Sequence, residues 1–167
     1  MKTGVRFALL LLVMASTVAC DRVTKNVATE LLAHKPTQSF LADTVRLTYA
    51  ENTGGFLNLG ASLPPVARTA IFTVATGLAL VLLLAAALRQ KSSLWRAFGL
   101  ALFFAGGLSN WIDRALSGSV VDFMNVGIGG LRTGIFNVAD VAIMLGVALF
   151  LLGEWVRASH GSPVTPN

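Results

Sequence analysis

The chain has 167 residues, of which 54% are apolar and only 13% charged, and its mean hydropathy is +0.71. A soluble domain carries about 25% charged residues, so disorder, collagen-like or disulfide-framed chains and most soluble folds are excluded. A net charge of +5 on so apolar a chain means either a nucleic-acid partner or a membrane orientation signal.

Four weakly charged runs divide the sequence. Phe7 to Cys20 is uncharged over 14 residues, and Thr69 to Leu88 over 20, enough to cross a hydrocarbon core. Ala97 to Ile112 is uncharged over 16 residues, and the 21 residues from Thr133 to Gly153 carry one charge, Asp140. The two short runs reach full length if Lys2, Arg6 and Arg96 snorkel and Thr24 or Asn110 lies at the far interface. The expectation is an all-α membrane protein with four transmembrane helices, at about 5–25, 67–88, 95–113 and 134–156, in a single domain over 1–167. No run has the alternation of a barrel strand.

Between the first two spans, residues 26–65 read as a small extramembrane, β-containing cap. Thr44-Val45-Arg46-Leu47-Thr48-Tyr49 leans towards a strand, and Asn52-Thr53-Gly54-Gly55 is turn-rich. Pro64-Pro65 breaks the chain before the second helix. Asp113 to Arg132 holds too many glycines for a fifth span and reads as an interfacial or re-entrant loop. The tail, 159–167, is polar.

Lys2, Arg6, Arg89, Lys91, Arg96 and Arg157 fall on one side of this arrangement with Glu154, giving that side a net +5. The other side balances seven basic residues with seven acids. The six occupy the termini and one tight loop, so both termini are expected in the cytoplasm. The excess charge is thus an orienting signal, and no nucleic-acid partner is expected.

Lys2 and Arg6, an apolar run and Thr17-Val18-Ala19-Cys20 also look like the signal peptide of a bacterial lipoprotein. Three further spans argue against that reading, and the chain is expected to remain uncut before Cys20. As the sole cysteine, Cys20 has no disulfide partner, and His34 and His160 are isolated, so neither a metal nor a cofactor is expected.

Polar residues gather at the span ends. Asp21 and Lys25 are four apart, as are Asn110 and Arg114 with Asp113 between them, and Asn137 and Asp140 are three apart. On helices each set shares a face, and alternate crossings place all three on the non-cytoplasmic side with Asn52, Gly54 and Asp122. Asp122 lies in the apolar Val120-Val121-Asp122-Phe123-Met124 with no adjacent cation, and Asp140 interrupts a span. A carboxylate at the bilayer centre costs about 2–3 kcal/mol, less near the interface. Two such costs indicate use. Two carboxylates brought close cannot both ionise, so one can act as a base on water while its neutral partner polarises a carbonyl.

Five segments carry a family resemblance: Asp21-Arg22-Val23-Thr24-Lys25, Asn52-Thr53-Gly54-Gly55-Phe56, Gly106-Gly107-Leu108-Ser109-Asn110-Trp111-Ile112-Asp113-Arg114, Val120-Val121-Asp122-Phe123 and Phe136-Asn137-Val138-Ala139-Asp140. In this order they resemble bacterial lipoprotein signal peptidase (signal peptidase II), a four-helix aspartyl protease of the inner membrane. The resemblance implies that Asp122 and Asp140 are the catalytic dyad. It also implies cleavage of prolipoproteins just before a diacylglyceryl-modified cysteine, with the site at the periplasmic leaflet. Asn52, Gly54, Asn110, Arg114 and Asn137 would then position substrate, Asp21 and Lys25 would brace the site, and Asp113 would support Arg114. Membrane lipids are the other expected partners, and the protein is expected to be a monomer. Three features depart from the family pattern: Arg22 replaces the usual Gln, Ser109 the usual Gly, and Gly-Gly-Phe the commoner Gly-Ala-Ala-Phe.

Three other readings use the same residues. The carboxylates could form a proton or ion pathway, although nothing polar lies deep in the second span. Lys25 with Ser109 or Ser119 could form a serine–lysine protease. A non-catalytic membrane lipoprotein would be modified at Cys20.

Overall fold

A computed structural model describes residues 3–55, 59–89 and 93–159. Phe56, Lys2, Lys91, His160 and the rest of the tail, all of which enter the sequence expectations, lie outside the described residues. Helix α1 spans Thr3–Leu32. Strands β1 (Gln38–Phe40) and β2 (Val45–Asn52) follow. A continuous rod comes next, made of α2 (Pro65–Arg68), a π-helical turn (Thr69–Ala75) and α3 (Thr76–Arg89). After it come α4 (Leu94–Ser117), β3 (Val120–Ile128), β4 (Leu131–Arg132) and α5 (Val138–Ser159).

Three helical stretches, Gly4–Leu32, Pro65–Ala87 and Val138–Ser159, are long and apolar enough to cross a membrane. The protein is a mostly helical membrane protein with a small antiparallel sheet. Helix α4 packs against α1, α3 and α5 and is the axis of the bundle. Its ends follow from sequence. Ser93 caps the start by accepting from the Arg96 N–H, and Gly118, at φ 75°, closes the end in the left-handed region. Pro65 opens the second rod at the position where a missing N–H costs nothing. At 1.5 Å per residue, the 30 residues of α1 measure about 45 Å, well beyond a hydrocarbon core of about 30 Å. By the same rise, Asp21 sits about 27 Å from the helix start.

Contact between α4 and α5 is close because small residues face each other. A Cβ on Gly99 would stand 2.7 Å from the Gly146 carbonyl, one on Gly146 2.6 Å from the Gly99 carbonyl, and one on Gly106 2.4 Å from the Ala139 carbonyl. The contacts are seven residues apart on both antiparallel helices, so the seam runs from Gly99 up to Asn110 and the start of α5. Small-residue seams of this kind let helix backbones approach in a membrane.

The sheet has four strands in the order β1-β2-β3-β4, of which β1 and β2 fall within residues 26–65, where β structure is expected. It corrects one expectation: Asp113 to Arg132 is not a re-entrant loop but finishes α4 and then forms a hairpin whose β3 pairs antiparallel with β2. The glycines are used at the helix end and at the hairpin tip, Gly129, with φ 57°. Pairing places Ala50 opposite Asp122 and Asn52 opposite Val120. The Phe136 backbone bonds to Phe123 and Met124, which delivers the start of α5 to the same place.

Gly146→Val should force the seam apart. The expected cost is that of overpacking, about 1–3 kcal/mol, read as a lowered melting temperature in detergent, whereas Gly4→Val, which meets nothing within 4 Å, should leave it unchanged.

Candidate active site

Ten side chains or backbone groups singled out by the sequence form one hydrogen-bonded cluster where the helices meet the sheet. At its base lies Asp21, 0% exposed. Its Oδ2 accepts from Lys25 Nζ at 2.6 Å and Ser109 Oγ at 2.7 Å, and its Oδ1 accepts from the Ala139 N–H at 2.8 Å. One carboxylate thus ties α1 to α4 and to the first turn of α5, where the helix dipole favours negative charge.

Lys25, 3% exposed, spends its three donors on Asp21, on Asp113 Oδ2 at 2.7 Å and on Asn110 Oδ1 at 2.8 Å. Arg22 is a second cation on Asp113. Two acids and two bases therefore close a neutral, partly buried network. The Asp113 carboxylate, expected to support Arg114, is bonded by Lys25 and Arg22 and faces Arg114 only through its charge. Arg114 instead donates through Nε and Nη2 to the Gly54 carbonyl, at 2.9 and 2.7 Å, and through Nη1 to Asn110 O at 3.3 Å.

Amides form the next layer. Asn110 Oδ1, already bonded to Lys25, also accepts from Asn137 Nδ2 at 3.2 Å, which turns Asn110 Nδ2 towards Asp140 Oδ1 at 3.0 Å. Asn137, 0% exposed, donates the same amide to Asp122 Oδ1 at 2.6 Å. Asn52 Nδ2 donates to Asp122 Oδ2 at 2.9 Å and to the Gly55 carbonyl at 2.9 Å, while its Oδ1 accepts from the Gly54 N–H. Asn137 and Asp140 do not share a helix face. Asn137 precedes the helix and accepts from the Asp140 N–H at 3.0 Å, and Asp140 Oδ2 accepts from the Asn137 N–H at 3.1 Å. This is a reciprocal capping box, and it fixes the Asp140 rotamer.

The two kinds of carboxylate differ in their partners. Asp21 and Asp113 are each paired with a cation, Lys25 bonding both and Arg22 adding to Asp113. Among the described residues, Asp122 and Asp140 make no ion pair, and the hydrogen bonds described to both come from neutral amides. Burial raises the Asp122 pKa to about 6, aided by the Asp140 charge and opposed by the amides of Asn52 and Asn137 and the charge of Lys25. Its proton is therefore lost within the physiological range.

The serine–lysine arrangement is absent. Ser109 is 0% exposed and donates to Asp21, Ser119 faces Glu51, and Lys25 is bonded to two acids and Asn110 rather than to either serine. The departures at 22 and 109 have a structural use, since each adds a donor to the Asp21–Lys25–Asp113 network. Sequence reasoning missed these two roles. Ser109 lies four residues before Asp113 on α4, so its face could have signalled the first. Among the described residues no cluster of three His, Cys, Asp or Glu could hold a metal.

Fold and site together define an integral membrane protein with a buried, carboxylate-lined polar centre at the junction of its helices and sheet. A family model described as signal peptidase (SPase) II matches residues 13–156. Lipoprotein signal peptidases from Desulforapulum autotrophicum and Sphingopyxis alaskensis are each 36% identical over 150 residues, which is 86% of this chain and 91% and 86% of theirs. The enzyme from Thermosynechococcus vestitus is 34% identical over 83% of this chain and 85% of its own. Two solved bacterial membrane enzymes superpose with TM-scores of 0.81 and 0.76 at 25% and 27% identity. They cover 96% and 87% of this chain and 95% and 91% of theirs. The chain belongs to the signal peptidase II family, aspartyl proteases that remove signal peptides from prolipoproteins.

Asp21→Ala should leave the Lys25 ammonium short of a partner in a buried site and destabilise the protein by about 3–5 kcal/mol. Thermal unfolding in micelles checks this, with Arg22→Gln, at a partly exposed position, costing about 1 kcal/mol or less.

Proposed function

We propose that Asp122 and Asp140 are the catalytic dyad of this peptidase. The observation that carries the reading is the separation of charge: every nearby cation is committed elsewhere, and these two carboxyls alone are held by neutral amides. Such a pair can share one proton. The ionised carboxylate takes a proton from water as its oxygen attacks the scissile carbonyl carbon, and the neutral carboxyl gives its proton to the carbonyl oxygen. The tetrahedral intermediate collapses as the amide nitrogen is protonated, the C–N bond breaks, and the dyad returns to its starting charge. Asn137 holds both carboxyls in register, and Asn110, its oxygen fixed by Lys25, turns its amide nitrogen to Asp140. Arg114 and Asn52 hold the Gly54 segment, whose backbone is a strand-end surface for an extended substrate.

The substrate is a prolipoprotein cut before a diacylglyceryl-modified cysteine. In this reading the chain crosses the bacterial inner membrane four times, α4 being the remaining crossing. Both termini are cytoplasmic, and the site and sheet lie at the periplasmic leaflet. The distribution of basic residues and the position of Asp21 near the end of a core-length stretch of α1 support that orientation. The protein acts as a monomer among membrane lipids. A proton or ion pathway has no support in the arrangement: the polar groups form one closed layer.

Asp122→Asn and Asp140→Asn should each lower cleavage of a diacylglyceryl-modified prolipoprotein by about 100- to 10,000-fold. Their melting temperatures should stay near that of the wild type, and wild-type rates in either variant would overturn the dyad.

Asn52→Ala removes a donor that favours the ionised form of Asp122. The Asp122 pKa then rises, the dyad keeps its last proton to higher pH, and the basic limb of the pH–kcat profile should move up by roughly half a unit to one unit. A limb that stays put or moves down would count against Asp122.

A further inference from the structure

The π-helical turn Thr69–Ala75 interrupts an otherwise regular rod, and both of its inner contacts lead to the active site. Its Thr73 carbonyl accepts from Trp111 Nε1 at 2.8 Å, and Trp111 lies between Asn110 and Arg114 on α4. Its Phe72 ring fills a slot between two glycines of the loop after β2. A Cβ built on Gly55 would stand 2.7 Å from Phe72 Cε1, and one on Gly60 2.9 Å from Phe72 Cζ. The loop is closed on itself by the Gly55 N–H donating to the Leu59 carbonyl at 2.8 Å.

The two glycines are required for different reasons. Gly60 has φ 77°, which disfavours any side chain whatever the space. Gly55 has no positive φ, so its backbone would accept alanine. The three nearest atoms that a side chain there would meet all belong to the Phe72 ring. Gly55 matters because its carbonyl accepts from Asn52 Nδ2, the amide that also donates to Asp122 Oδ2. Next to it, the Gly54 carbonyl carries both bonds from Arg114.

We propose that Phe72 is a positioning residue for the reaction: by seating Gly55 against its ring, it fixes the Asn52 amide and thereby the rotamer of Asp122. The π turn serves this role because the extra residue in its turn sets Phe72 on the loop and Thr73 on α4 from one segment. π turns inserted in regular helices often mark functional positions. The inference rests on the dyad reading above.

The test uses the full chain in detergent micelles with a diacylglyceryl-modified prolipoprotein, and the pair Gly55→Ala and Phe72→Leu. Gly55→Ala pushes the loop off the ring. It should lower kcat about tenfold, as expected for a displacement below an ångström, with KM within about twofold. The charged groups facing Asp122 are Lys25 from α1, Arg114 from α4 and Asp140 from α5. None of them is altered, so the basic limb should move upward as it does in Asn52→Ala. Phe72→Leu removes the ring edge, and the double variant Gly55→Ala/Phe72→Leu should recover most of the lost kcat and return the limb. Phe72→Ala alone, which empties the slot, should repeat the kcat loss and the upward shift. Wild-type kcat and limb in Gly55→Ala or in Phe72→Ala, or a loss in Gly55→Ala that the double variant does not repair, would overturn the role of Phe72 while leaving the dyad intact. A wild-type chain that cleaves no faster than Asp122→Asn would overturn the dyad itself.

Discussion

Asp21 accepts hydrogen bonds from three helices, and the remaining geometry of the site depends on that fact. Its partners are an ammonium on α1, a hydroxyl on α4 and a backbone N–H at the start of α5. A buried carboxylate has a large desolvation cost, and only a full set of donors offsets it. Here the set is complete only when all three helices are in place. The interaction therefore specifies the bundle more than it stabilises it, and it sets the height at which α5 begins. That height decides where Asn137 and Asp140 sit.

The site divides its charges between two layers. Below, Asp21, Asp113, Lys25 and Arg22 cancel one another. Above, among the described residues, Asp122 and Asp140 bond only to amides. The amides transmit orientation without transferring charge: Lys25 fixes the oxygen of Asn110, so the nitrogen of Asn110 must point at Asp140, and Asn137 is turned by the same oxygen. A cation in direct contact with either upper carboxyl would hold it ionised and remove the proton that the proposed dyad shares. Replacing contact by relay keeps the geometry and leaves the protonation state free. Low dielectric strengthens every bond in such a chain, so the whole relay is sensitive to the loss of any member.

Much of this was legible in sequence, for reasons that can be named. Charged residues are scarce in an apolar chain, so each polar cluster at a span end stood out, and Asp122 was conspicuous because it had no cation beside it. Its isolation in sequence matches its lack of an ion pair in space. Strand β2 was visible in Thr44 to Tyr49, and Pro65 marked the second rod. Strand β3 was hidden because Asp122 and Asn125 occupy buried positions, so no apolar alternation survives. Asn137 and Asp140 were ambiguous in principle, since a spacing of three suits both a helix face and a capping box, and only the backbone decides. The glycine seam between α4 and α5 and the Phe72 slot depend on pairings between distant segments, which one sequence does not register.

Cys20 is exposed on α1, in the middle of a helix, one residue before Asp21. The stretch Thr17-Val18-Ala19-Cys20 looks like the sequence a lipoprotein offers for cleavage, yet its carbonyl groups are committed to the helix, and Cys20 O also accepts from Thr24 Oγ1 at 2.8 Å. Presenting the Ala19–Cys20 bond to an active site would require unwinding that turn, and unwinding it would pull Asp21 away from all three of its partners. A neighbouring copy that opened this bond would thereby dismantle the bundle of the chain it attacked. Self-processing at this bond would have to break the helix and all three bonds of Asp21 at once.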